Sequence, residues 1–307
     1  MIVVQISHGF GNQIFQYMYA IELSKKYPHE TIALENNHYD NQKHSFDIRE
    51  YQLSFFDNLK FHLIETNFFK KFHKFKKNSN RRIWQIKNYF NFNSDNYFII
   101  KDETSKLTMM ISYFFKNKYY IGSWNKYKFS IANIREEFKK LKINEEINKS
   151  FINNEWKIKI KKTNSIAVCV RRSDYVKIGE SSDLNYFNSA IEFFNKKFTN
   201  NIFFIFSDDI SWCKDNFNNI KNVNFIHTNN IIPLEDLLLI SYCKHAIISK
   251  SSFNLFGCYI NENIDKIIIT EREWDIDFKI DFRTLLLNDN FRVMCEHNSK
   301  EHNISSS

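Results

Sequence analysis

Two adjacent arginines, Arg171 and Arg172, follow directly on the apolar run Ile166 to Val170 in the segment Cys169-Val170-Arg171-Arg172-Ser173-Asp174-Tyr175. A guanidinium stays charged at physiological pH and presents a rigid fork of donors that matches phosphate or carboxylate oxygens two at a time. At the carboxyl end of a parallel strand, such a fork opens into the crevice where α/β sheets bind their ligands. Read alone, the pair is either a phosphate clamp or an exposed basic loop.

Two further turns carry related chemistry. In His8-Gly9-Phe10-Gly11-Asn12-Gln13, the glycines let backbone approach a ligand, and the helix that comes next offers unpaired N–H groups with partial positive charge. This is not the dinucleotide fingerprint, because the third glycine is absent. In Ser249-Lys250-Ser251-Ser252-Phe253, hydroxyls meet another helix start, which suits phosphate or sugar oxygens. A serine N-cap with no ligand is the plain alternative. Asp236 lies among Leu234, Leu237, Leu238 and Leu239. Its carboxylate must find donors, such as the paired N–H groups of a guanine edge, or else it is a first-turn acid serving the helix dipole. Asp208 and Asp209 end an apolar run and either face the same crevice or cap a helix.

The elements that must position these turns alternate. A strand over 2–7 leads through the glycine turn to a helix with Ile14, Tyr17, Met18 and Ile21 on one face, and 31–34 reads as the next strand. The region from His38 to about Ser123 is less regular. A polar stretch over 139–162 suggests a boundary, with the junction near Lys157. Beyond it, strands over 166–170, 201–206, 223–226, 245–248 and 266–269 alternate with helices over 184–197, 210–217, 233–243 and 253–260. Such alternation specifies a parallel sheet wrapped by helices. The expectation is an α/β protein of two Rossmann-like doubly wound domains, 1–157 and 158–307, with a ligand cleft between them and a polar tail from about residue 294.

The 307-residue chain carries a net charge of +8, with 43% hydrophobic and 25% charged residues. That describes a globular protein with anionic partners. Five cysteines without C-x-x-C spacing describe neither a disulfide framework nor a zinc site, and no metal or other cofactor is expected. No secretory signal opens the chain and no apolar window approaches about 18 residues, so the expected location is the cytoplasm. Phe68, Phe69, Phe72 and Phe75 alternate with Lys70, Lys71, Lys74, Lys76, Lys77, Arg81 and Arg82. This stretch is either a solvated helix with its phenylalanines in the core or a basic amphipathic helix in peripheral contact with an anionic inner membrane. Nucleic acid is not an expected partner, since no recognition motif accompanies the charge. Asp275-Ile276-Asp277 has a metal-nucleotide spacing but lies outside the alternating core and reads as solvated.

Gly9-Phe10-Gly11-Asn12-Gln13-Ile14-Phe15-Gln16-Tyr17 resembles the G-x-G-N-Q-x-F-Q-Y signature of glycosyltransferase family 11, the α-1,2-fucosyltransferases, in its bacterial form. Arg171-Arg172-Ser173-Asp174-Tyr175 resembles the family's H-x-R-R-x-D motif. Gly122-Ser123-Trp124 and the block from Leu234 to Gly257, with Asp236, Ser241, His245, Ser251 and Ser252, resemble further family elements. The resemblance spans roughly residues 1–262.

It implies a GT-B-type fold, GDP-fucose as donor and a galactose-containing glycan as acceptor. The implied reaction is inverting, metal-independent transfer of fucose to a 2-hydroxyl, in a bacterial surface glycan such as lipopolysaccharide. On this resemblance Arg171 and Arg172 hold the diphosphate, Arg171 foremost. Asp174, counted with the catalytic residues, anchors Arg172 or its loop, with action as a base the alternative; Gly9, Gly11 and Asn12 close over the phosphates, Asp236 reads guanine, and Ser251 and Ser252 line the phosphate or fucose. Cys169 stands where the family has His, and Lys250 where Asn is common. These departures leave open another nucleotide sugar, or a binding protein with little turnover.

Overall fold

The computed structural model describes residues 1–39, 48–64, 97–102, 106–152, 154–226, 232–271, 282–286 and 291–296. The phenylalanine and lysine stretch 68–82, His227, Asp275, Asp277 and the end of the chain from 297 lie outside the described residues. The chain divides into two compact units, Met1–Tyr127 and Lys128–Ser307.

The first unit holds a four-stranded parallel sheet of order β2-β1-β4-β3, formed by β1 (Ile2–Gln5), β2 (Ile32–Glu35), β3 (Tyr97–Lys101) and β4 (Asn117–Ile121). β1 is buried along its whole length, as a strand covered on both faces must be. Helix α1 (Phe10–Lys26) crosses from β1 to β2 and buries most of its side chains, including Ile14, Tyr17, Met18 and Ile21. Helix α2 (Lys106–Ser112) precedes β4. Strands β3 and β4 occupy the region that read as irregular, because residues such as Tyr119 and Tyr120 give no clean alternation when both faces are covered.

The second unit opens with three helices, α3 (Ile131–Lys139), α4 (Glu145–Ile152) and α5 (Glu155–Lys162). They explain why the division falls ahead of the expected junction near Lys157. Their polar outer faces imitate a linker, yet they are fastened to the second half of the chain. Arg135 Nε donates to the Tyr259 carbonyl at 2.8 Å, and Ser150 Oγ donates to Glu235 Oε1 at 2.7 Å.

The sheet of this unit has seven strands in the order β10-β11-β9-β8-β5-β6-β7. It comprises β5 (Asn164–Val170), β6 (Asn201–Ser207), β7 (Val223–Phe225), β8 (His245–Ile248), β9 (Ile267–Glu271), β10 (Phe282–Leu286) and β11 (Phe291–Glu296). The first five are parallel, with helices α6 (Ser173–Lys177), α7 (Leu184–Lys197), α8 (Ile210–Phe217), α9 (Pro233–Tyr242) and α10 (Ser252–Ile260) between them.

Ile166, Val168 and Val170 pack with Phe187, Phe194 and Phe217 of α7 and α8, so the intervening Ala167 and Cys169 face the other helical layer. In that layer α9 and α10 approach closely, and a Cβ at Gly257 would stand only 2.8 Å from Ile240 Cγ2. The polar tail expected from about 294 starts later than its composition suggests. β11 runs to Glu296 and pairs antiparallel with β9, Met294 opposite Ile268. A strand near the sheet edge tolerates the polar residues that suggested a tail.

Candidate functional site

In the second unit, the chain leaves β5 toward β6 on one side and reaches β8 on the other, so the order of strands reverses between β5 and β8. Ligands of open α/β sheets bind outside the carboxyl ends of strands at such a reversal. Arg171 and Arg172 follow β5 there, and Ser249 to Ser252 follow β8. Ser249 fastens the two ends together: its N–H donates to the Cys169 carbonyl at 3.0 Å, and its Oγ accepts from the Arg171 N–H at 3.1 Å and from Asn254 Nδ2 at 3.2 Å.

Both guanidinium groups are held in place. Arg171 Nη2 lies 2.7 Å from Asp174 Oδ1, and Nη1 lies 2.8 Å from Asp208 Oδ2. Burial works against its charge, but Asp208 and Asp174 outweigh burial and raise its pKa above the ordinary value. Arg172 stacks on Trp212 with its Cζ 3.9 Å from the ring centroid, and its Nε sits 3.2 Å from Asp209 Oδ2. The Arg172 N–H donates to Asp208 Oδ1 at 2.8 Å. The terminal Nη1 and Nη2 of Arg172 have no ion-pair partner among the described residues.

Asp174 therefore holds Arg171 rather than Arg172, because its place in the first turn of α6, three residues on, sets it beside Arg171. Asp209 takes both readings left open for it. Its Oδ1 accepts from the Trp212 N–H as the N-cap of α8, while Oδ2 meets Arg172.

Ser251 occupies the N-cap position of α10, yet its hydroxyl makes no cap hydrogen bond, and Ser252 begins the helix. Lys250 reaches toward Glu271 at 3.6 Å and Glu180 at 3.8 Å. Asp236 sits in the first turn of α9, whose start lies at the same end of the sheet. Its Oδ1 is buried with no hydrogen-bond partner among the described residues, and burial, reinforced by Glu235, pushes its pKa up to about 6.

The first unit repeats this plan. Its strand order reverses between β1 and β4, so the glycine turn after β1 and Gly122-Ser123-Trp124 after β4 meet at one place. Gly9 is the N-cap of α1, and Gly11 and Asn12 lie in the first turn, where no acidic residue occurs. Two glutamines of the motif build the turn itself. Gln16 Oε1 accepts from the Ser7 N–H at 2.8 Å and its Nε2 donates to the Gly122 carbonyl at 2.8 Å, while Gln13 Nε2 donates to the carbonyls of His8 and Glu50. His8 takes a φ of 64°, an uncommon conformation for a residue with a side chain. The guanidinium of Arg49 lies beside Gly9, about 3.9 Å from where a Cβ would stand. Arg49 and Trp212 were not singled out from sequence, and only the placement of Trp212 in the helix start after Asp208-Asp209 offered a signal; Ser249 was read as part of the serine turn, but not as the residue that ties the two strand ends together.

Cys169 and His245 take structural places. The Cys169 thiol is fully buried, and burial, with Cys258 and Cys243 nearby, raises its pKa far above the usual value. His245, at the opposite end of β8 from Ser249, stacks on Phe198 at 4.8 Å and accepts from the Ile267 N–H at 3.1 Å. Burial, helped by Lys244 and Lys197, pushes its pKa down to about 4.

The family model for glycosyl transferase family 11 matches residues 1–287. The chain belongs to that family. It is 32% identical over 168 residues to an α-1,2-colitosyltransferase of Escherichia coli, covering 50% of this chain and 55% of that protein. The match thus spans about half the length of that relative. It is 24% identical over 289 residues to the O-antigen biosynthesis glycosyltransferase WbnK of Escherichia coli, covering 88% and 93% of the two chains.

The fold is similar to that of NodZ α-1,6-fucosyltransferase in a crystal soaked with GDP-fucose, with a TM-score of 0.54 and 12% identity over 97% of this chain and 99% of that one. NodZ from Bradyrhizobium gives a TM-score of 0.52 at 12% identity, over 88% and 94% of the chains. The family-11 chain is a glycosyltransferase with the parallel α/β architecture of the GT-B class. Among the described residues no helix is long and apolar enough to cross a membrane.

Proposed function

We propose that this glycosyltransferase moves L-fucose from GDP-β-L-fucose to the 2-hydroxyl of a galactose-type acceptor in a bacterial surface glycan, inverting the donor linkage without a metal. The observation that carries the reading is the arginine pair at the strand-order reversal, with the open Nη1 and Nη2 of Arg172 at the same sheet end as the uncapped start of α10.

As the glycosidic C–O bond breaks, negative charge collects on the leaving diphosphate and the fucosyl group becomes oxocarbenium-like. Fixed cations and N–H dipoles stabilise that charge without reorganising during the reaction. Arg172 takes the phosphate through its terminal nitrogens. Arg171, clamped by Asp174 and Asp208, offers its remaining N–H donors, and Ser251 and Ser252 with the first N–H groups of α10 complete the cradle. Asp236 accepts from the guanine edge, which would satisfy its unpartnered oxygen. On the first unit, Gly9, Gly11, Asn12 and Arg49 give a second set of phosphate donors at the start of α1.

The relatives' names support α-1,2 transfer, and the colitosyltransferase keeps a second donor sugar, colitose, in view. The deciding assay offers GDP-fucose and GDP-colitose in parallel to the purified protein, with a panel of galactosides, in EDTA. Transfer of fucose to a galactose 2-hydroxyl is expected. Preference for colitose would replace the donor, and loss of activity in chelator would overturn the metal-free mechanism. Replacing Arg172 by Ala is expected to lower kcat/KM by roughly 100- to 1,000-fold; unchanged steady-state transfer in that variant would remove the clamp.

A further inference from the structure

At the other end of the second sheet, α3, α5 and α9 enclose a cavity of about 460 Å³ with the turn that comes after α10. That volume lies within the range of small-ligand sites. Its lining includes Arg135, Lys139, Lys161 and Lys244 against a single carboxylate, Glu262. Lys244 immediately precedes β8, whereas Ser249 to Ser252 follow it. The cavity therefore opens at the amino ends of the strands, away from the arginine pair.

Cations gathered near helix carboxyl ends have an ordinary explanation, since they serve the last carbonyls. That accounts for Arg135, whose Nε donates to the Tyr259 carbonyl near the end of α10. Lys139 is matched by Glu262 at 2.7 Å. Lys161, in the last turn of α5, and Lys244, just past the end of α9, share that helix-end setting, but among the described residues neither pairs with a carboxylate, and the Lys161 ammonium lies over the Tyr242 ring, 4.3 Å from its centroid.

The wall between them is built, not loose. Asn261 Nδ2 donates to the Cys243 carbonyl at 2.6 Å, and Asn263 Nδ2 donates to the Lys244 carbonyl at 2.8 Å. The turn is thereby fixed to the backbone that carries Lys244. Lysines from two elements that converge on one concavity without counter-charge leave an anion as the missing partner.

We propose that this cavity is a second binding site, which takes a phosphate-bearing anion between Lys161 and Lys244 with Tyr242 as its floor. The phosphate comes either from a soluble phosphorylated compound or from a lipid headgroup, and the test separates the two.

Binding of inorganic phosphate, and of phosphatidylcholine vesicles with and without phosphatidylglycerol, is measured on the full chain with saturating GDP to occupy the arginine site. The measurements are repeated on the double variant Lys161→Ala/Lys244→Ala. Both lysines are exposed, so the variant is expected to keep its thermal unfolding midpoint. Replacement of the exposed Lys196 and Lys221 by Ala, which removes the same two charges, serves as the control for net charge.

Saturable phosphate binding that weakens by roughly tenfold or more in the double variant, and not in the control, supports the site with a soluble ligand. Binding confined to the phosphatidylglycerol vesicles, with the same loss, supports it with a lipid headgroup. Binding to neither probe, or equal binding by the native and doubly substituted chains, overturns the proposal.

Discussion

Asp236 shows how one side chain can set stability against binding. Its buried, unpartnered oxygen and a pKa raised to about 6, by burial first and Glu235 second, mean that the folded protein resists its ionisation. For an acid shifted upward, the penalty is fully present above the folded pKa and fades as pH falls from about 6 toward the unfolded value. Asp236→Asn removes it, and the variant is expected to be more stable at pH 8 by about 1–3 kcal/mol, read from denaturant unfolding. Ligand binding moves the other way. An acceptor of guanine N–H groups must be ionised, so GDP affinity should fall as pH drops through about 6, and the Asn variant should bind GDP roughly 10- to 100-fold more weakly with that pH dependence gone. Calorimetric titration across pH 5 to 8 checks both; a variant that binds GDP as the native chain does would end the guanine assignment. The acid was visible in the sequence as a polar residue in a leucine run, but its missing partner was not.

Helices α9 and α10 show where a glycine sets an element's position. A methyl group at Gly257 would meet Ile240 Cγ2 at 2.8 Å, so Gly257→Ala must displace the Ile240 side chain or push the two helices apart. A loss of about 1–3 kcal/mol in unfolding free energy is expected. Because α10 also carries Ser251 and Ser252 at its start, the same variant should lose donor affinity without losing a donor contact. Stability equal to the native chain would show that the layer adapts freely. Strand and helix order in this half was legible from residue 166 to 269, since apolar runs such as Ile247 and Ile248 end in turns with distinct chemistry, whereas the antiparallel β10 and β11 were not read as strands. The partners of the arginines were harder to read. Asp174, Asp208 and Trp212 reach them only through the geometry of two separate strand ends, which no local spacing encodes.

At the scale of the whole chain, the nucleotide-binding assignments concentrate in the unit Lys128–Ser307. GDP at 100 times its dissociation constant should stabilise the folded protein by about 2.7 kcal/mol. Thermal unfolding with and without EDTA should show the same shift, and a shift that disappears in chelator would mean that a metal carries the nucleotide. The plan of paired Rossmann-like units was legible in the alternation of the second half and the strand-turn-helix opening of the first. The boundary was not, because α3 to α5 are amphipathic helices whose outward residues have the composition of a linker.

The arginine pair also bears on how fast the enzyme can let go. In the structure two cations are already matched by three carboxylates, Asp174, Asp208 and Asp209. A stray orthophosphate gains little there, because it must compete with acids tethered at high effective concentration. On the proposed function, a spent diphosphate would leave behind arginines whose neighbours are ready to neutralise them, so its departure would create no bare positive charge. The same acids that blunt the site's hunger for anions would keep product from becoming an inhibitor, by lowering its affinity and shortening its residence time together.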